Sequence, residues 1–133
     1  QIYKKVLQTI PLAQTNDEHE ESEKVKLSTK FLINLALSYN MNDQPKKTIV
    51  TIAEIEKICN IDDQSRVLFI KGKALRLLGE YKEALIALKK AQHLAPNDKA
   101  VLEELEKLNI GMANYNEVSK KMAKNIFNLS WTH

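Results

Sequence analysis

Apolar positions in this chain recur every three or four residues and almost nowhere alternate, which predicts helices and no strands. Ile2, Val6 and Ile10 share one helical face and predict a helix over 1–12. Residues 15–23 then carry Asp17, Glu18, Glu20, Glu21 and Glu23 and no apolar side chain, so 13–23 reads as an acidic, mobile loop. Within 24–64 the apolar pattern resumes in two segments, the second with Thr48, Ile52, Ile55 and Ile58 on one stripe. Asn42 to Pro45 reads as the turn between them, with Pro45 suited to the first helical position. Residues 65–98 repeat this plan around Gly79-Glu80-Tyr81. Pro96 ends the second helix for want of an N–H donor, and Asn97-Asp98 caps the next one. Val101, Leu105, Leu108, Met112, Tyr115, Val118, Met122 and Ile126 predict one long helix over 99–127, with 128–133 as a frayed tail. Gly111 inside it costs about 1 kcal/mol relative to alanine and predicts a kink or a close helix contact.

The unit from Ser65 to Asp98 places Leu68, Gly72, Ala74, Gly79, Tyr81, Ala84, Ala91 and Pro96 where the tetratricopeptide repeat has its signature residues, and resembles one. Gly72 and Ala84 are small enough for two antiparallel helices to approach closely. Asn34, Leu35, Ala36 and Tyr39 keep a looser version of the pattern. The connection from Asn60 to Gln64 carries about two residues beyond the period, which a loop tolerates cheaply. The expected fold is all-α, one domain over 1–133 of helix pairs stacked in a right-handed superhelix. It comprises the second helix of a truncated first repeat (1–12), the acidic loop, repeats over 24–64 and 65–98, and a long C-terminal capping helix. Because the chain opens at Gln1 inside a predicted helix, it is expected to be a piece of a longer protein.

Composition narrows the function. Three glycines and three prolines in 133 residues are too few for a turn-rich sheet or a Gly-rich phosphate loop. Hydrophobic residues make up 44%, enough for a core, and aromatics only 6%, so that core should be aliphatic. The net charge of +3 hides the acidic segment, so the rest of the chain is more basic and is expected to prefer an acidic protein partner over nucleic acid. Cys59 is the single cysteine, which excludes an internal disulfide and points to a reducing compartment, the cytoplasm. No apolar run approaches the roughly 18 residues of a membrane span. His19, His93 and His133 lack ligand spacing, Cys59 has no histidine nearby, and the neighbouring Glu103 and Glu104 diverge on a helix as solvated or ion-paired groups. No catalytic residue, metal or cofactor is therefore expected. Lys120, Lys121 and Lys124 with Met122 and Phe127 read as the solvated face of the capping helix in preference to a calmodulin-type target.

In a stack of helix pairs the first helix of each pair lines an inner groove. Here that gives Lys30, Ile33, Asn34, Leu37 and Met41 from one unit and Arg66, Phe69, Ile70, Lys73 and Leu77 from the next. Cations and the Asn34 amide would form a polar rim, and Ile33, Leu37, Phe69, Ile70 and Leu77 an apolar floor. Such a groove suits a flexible peptide ending in carboxylates; the alternative is that the cations are simply solvated.

The stretches FLINLALSY (31–39), RVLFIKGKALRLLGEY (66–81), ALKKAQHLAPND (87–98), LEELEKLN (102–109) and SKKMAKNIF (119–127) resemble the repeat domain of FK-506-binding immunophilin co-chaperones. They are similar in particular to the germline members, which carry an inactive or degenerate isomerase domain and act in transposon silencing through small Piwi-associated RNAs. The resemblance implies a clamp for the acidic C-terminus of heat-shock protein 90, with Piwi-pathway proteins as further partners. Asn34 matches the family's repeat-two Asn, Arg66 stands where the repeat-three Lys would be, and Ile70 stands where its Arg would be. Lys73, one turn beyond Ile70 on the same face, is expected to substitute in part for the missing charge, and Lys30 is expected to join the same clamp. The runner-up keeps the scaffold and discards the clamp: another protein docks, or the domain self-associates as a homodimer.

Overall fold

The computed structural model describes residues 17–131, with side chains to 128, as five helices and no strand. They are α1 (Asp17–Met41), α2 (Pro45–Ile58), α3 (Ser65–Leu77), α4 (Tyr81–Leu94) and α5 (Lys99–Trp131). The fold is all-α and resembles stacked tetratricopeptide units: α1 packs on α2, α3 on α4, and each pair on the next. α1 also touches α3, and α3 touches α5, so these three helices form one wall, with α2 and α4 behind it. The helix expected over 1–12 and residues 13–16 of the expected loop lie outside the described residues.

The acidic segment requires a correction. Residues 17–23 are the first turns of α1 and not a loop. Asp17, Glu18 and Glu20 occupy the first turn, where carboxylates offset the positive end of the helix dipole. Glu21 and Glu23 meet Lys24 and Lys26 three residues on, at 3.7 and 3.9 Å. The far end of the chain also departs from expectation, because α5 runs to Trp131 in place of fraying after 127. Nothing between Asn125 and Trp131 is a glycine or proline that would stop it.

Both hairpin turns use the same device. After α1, the Gln44 amide donates to the Tyr39 carbonyl and the Asp43 amide to that of Asn40, with Asp43 left-handed at φ 58°. After α3, Glu80 donates to Leu75 and Gly79 to Arg76, with Gly79 at φ 80°. These are Schellman closures, which satisfy the last carbonyls of each helix. Pro45 opens α2, and α4 ends at Leu94, two residues before Pro96.

The core is aliphatic. Leu32 and Ala36 of α1, Ile52 and Ile55 of α2, Val67, Leu68, Ile70 and Leu75 of α3, and Ala84, Leu88 and Ala91 of α4 are buried together. Val101, Leu105 and Leu108 of α5 complete it, while Phe31, Phe69 and Tyr81 pack at its edge. α3 and α4 pack tightly at Gly72: a Cβ there would lie 2.5 Å from Cγ of the fully buried Leu88. At Gly111 the expected tight contact is absent, since a Cβ would meet the Tyr81 ring at an ordinary 3.5 Å. A buried polar link joins the first pair to the second. Asn40 Nδ2 donates to the Ile70 carbonyl at 3.0 Å, and Thr48 Oγ1 donates to Asn40 Oδ1 at 2.8 Å. Asn40 is thereby satisfied on both sides.

Candidate functional site: a groove along α1, α3 and α5

Two cavities lie along the wall formed by α1, α3 and α5. The larger, about 570 Å³, is lined by Val25, Lys26, Thr29, Lys30, Ile33 and Asn34 of α1. Cys59 and Gln64 of the α2–α3 connection and Arg66 of α3 close its other side. The smaller, about 270 Å³, is lined by Leu37 of α1, Ser65, Arg66, Phe69 and Ile70 of α3, and Asp98 and Ala100 at the start of α5. Arg66 belongs to both and stands between them.

Local geometry explains how these groups come together. On α1, Lys26, Lys30, Ile33 and Asn34 fall at helical spacing on one face, while Leu32 and Ala36 face the core. The connection after α2 is bent by Asn60, whose Oδ1 accepts from the Asp62 amide at 3.0 Å. Gln64 folds back across it: its Nε2 donates to Cys59 Sγ at 3.4 Å and to the Asn60 carbonyl at 3.3 Å. The Cys59 thiol in turn points at the Ile55 carbonyl, 3.7 Å away. Cys59 is thus held as a half-buried wall of the larger cavity. Arg66 follows in the first turn of α3, and Asp98 caps α5 through Oδ1 to the Ala100 amide at 3.0 Å.

The electrostatics are uneven along the groove. Lys30 and Arg66 make no ion pair among the described residues, and Lys26 makes only the exposed 3.9 Å pair with Glu23. Thr29 Oγ1 is buried and has no hydrogen-bond partner among the described residues. The larger cavity therefore offers two cations without an ion pair among the described residues and an amide, beside apolar Val25 and Ile33. This set can hold a carboxylate and an adjoining aliphatic side chain. The smaller cavity is mostly apolar, with Arg66 and Asp98 as the charged residues that line it.

The structure thus brings Lys30, Ile33, Asn34 and Arg66 around one cavity, and Leu37, Phe69 and Ile70 around its neighbour. Ile70 is only 1% exposed, so it serves the core as much as the groove. Lys73 and Leu77 lie farther along α3 and line neither cavity. Helical spacing did not point to Val25, Lys26 and Thr29, which precede Lys30, the first groove position expected on α1. Nor did it point to Cys59, Gln64 and Asp98, which reach the groove from connections and not from helix faces. Among the described residues there is no cluster of metal-ligating side chains, and no helix is long and apolar enough to cross a membrane.

No family model matches the chain. It is 31% identical over 114 residues, 86% of its length, to the inactive peptidyl-prolyl cis-trans isomerase shutdown of Drosophila melanogaster. It is 23% identical over 127 residues, 96% of its length, to the protein of the same description from Bombyx mori. The chain is therefore related to shutdown. The matched regions span 25% and 29% of those two proteins.

Proposed function

We propose that this chain is the protein-binding module of an immunophilin-like co-chaperone, built from tetratricopeptide repeats, and that its groove grips the acidic C-terminus of heat-shock protein 90. Lys30, Asn34 and Arg66 around one cavity carry this reading. An unpaired Lys and Arg beside an amide favour a terminal carboxylate, and the apolar floor favours the aliphatic side chain next to it. The relationship to shutdown supports a role in Piwi-associated RNA production and transposon silencing, in the cytoplasm. Both relatives are named as inactive isomerases, which supports a binding role in place of catalysis.

A second reading is favoured by Ile70 and Asp98. The clamp's second cation is replaced by a buried isoleucine, and an acid stands at the end of the groove. Those features suit another protein segment, with fewer carboxylates and a larger apolar side chain.

Calorimetric titration separates the two. The chaperone's C-terminal pentapeptide, Met-Glu-Glu-Val-Asp, should bind with a Kd of roughly 10–100 μM. Asn34→Ala or Arg66→Ala should weaken it at least about tenfold, and amidation of the peptide terminus should do the same. Absence of binding at about 1 mM peptide rejects the clamp and leaves the second reading.

A further inference from the structure

A further cavity lies where the turn between α3 and α4 meets α5, and it shares no lining residue with the two along the groove. It holds about 370 Å³, and Tyr81, Met112, Tyr115 and Asn116 wall it together with Glu80 and Glu83. Small-ligand pockets begin near ~300 Å³, so one long side chain fits. The Tyr81 and Tyr115 rings meet edge to face, with centroids 6.1 Å apart and planes inclined at 73°, and so form two walls of a corner. One wall is anchored: Tyr81 is half-buried, and its ring lies 3.5 Å from where a Cβ on Gly111 would stand. The other is open, since Tyr115 is 62% exposed.

The two acids are not spent on the fold. Glu80 is the N-cap of α4 and Glu83 stands three residues on, where a carboxylate commonly reaches back to the cap N–H. Here that N–H already donates to the Leu75 carbonyl, and the Glu80 side chain makes no cap bond. Neither carboxylate has an ion pair among the described residues. Lys82 also borders the cavity, which leaves its lining with one net negative charge.

We infer that this cavity receives an arginine side chain of a partner protein. A guanidinium is the cation that lies flat on a tyrosine ring while its N–H groups reach a carboxylate. Met112 offers an apolar surface to the methylene stem. The chain has only two arginines of its own. Arg76 is held by Glu104, and Arg66 lines the groove, so the guanidinium is taken from a different protein. The site does not depend on what the groove binds.

Nuclear magnetic resonance titration of the whole chain with capped Gly-Arg-Gly tests this. The ring signals of Tyr81 and Tyr115 should shift together, with a Kd of roughly 1–5 mM. Capped Gly-citrulline-Gly keeps the shape without the charge and should bind at least about fivefold more weakly. Tyr115→Leu, read at Tyr81, should weaken the arginine peptide about threefold or more. Glu80→Gln combined with Glu83→Gln should weaken it about fivefold. Neither variant should lower the helix content. Ring signals that stay still at about 20 mM arginine peptide overturn the proposal. So does citrulline or lysine binding as tightly as arginine, or an affinity indifferent to both variants.

Discussion

Arg76 and Glu104 form a two-point ion pair that fastens the long C-terminal helix α5 to α3: Nε meets Oε2 at 2.6 Å and a terminal guanidinium nitrogen meets Oε1 at 3.2 Å. Glu104 is 3% exposed, so its charge has exchanged water for this one guanidinium. Lys107 stands 3.9 Å away and is mostly solvated. Removing one partner leaves a buried charge, whereas removing both leaves an apolar contact. Arg76→Ala should therefore cost about 3 kcal/mol, and Arg76→Met with Glu104→Met should recover most of it. Urea denaturation of the single and double variants reads the difference directly from the midpoints.

Two glycines on helices should respond oppositely to the same substitution. Gly72→Ala drives a methyl to within 2.5 Å of Leu88 Cγ, in a site where Leu88 has no room to retreat. It should destabilise by about 1–3 kcal/mol. Gly111→Ala meets only the Tyr81 ring at contact distance and removes a flexible residue from the middle of α5. It should stabilise by up to about 1 kcal/mol. Thermal melts of the two variants test the pair; a stabilised Gly72→Ala would contradict the close approach of α3 and α4.

The two Schellman turns differ in one residue, and the difference should be measurable. Gly79 at φ 80° adopts its conformation freely, and Asp43 at φ 58° carries a Cβ in the same region. Asp43→Gly should stabilise by roughly 0.5–1 kcal/mol. Gly79→Ala, which meets no atom within 4 Å, should destabilise by about 1 kcal/mol through backbone strain alone. Shifts of opposite sign in unfolding midpoint are the expected signature.

The helices after residue 24 were legible because their apolar stripes are regular and their turns carry Pro45, Gly79 and Pro96. The start of α1 was not. Charge density in 17–23 reads as disorder when counted, and as helix when the carboxylates are set against the first turn and against Lys24 and Lys26. The Arg76–Glu104 pair was hidden for a different reason. Glu104 differs from its neighbour Glu103 only in the face it occupies, and its partner lies 28 residues away. In the groove, helical spacing identified Lys30, Asn34 and Arg66. It also placed Ile70 on the floor, although the contact between α1 and α3 covers that side chain. Gln64 and Asp98 carry no period at all, since their position depends on how a connection bends.

Asp98 offers the sharpest test of how charge sets what the groove accepts. It lines the same cavity as Arg66 while its Oδ1 caps α5. An asparagine at this position would cap almost as well, because an amide oxygen accepts the same bond. The substitution Asp98→Asn therefore removes a negative charge from the groove with little change in the fold. A carboxylate-rich peptide held by Arg66 and Lys30 should bind the variant a few-fold tighter. The gain should shrink as salt rises, since the charges involved are partly solvated. Calorimetry at low and high ionic strength on the parent and the variant measures both effects. An affinity that falls or stays constant would mean that acidic peptides do not occupy this part of the groove.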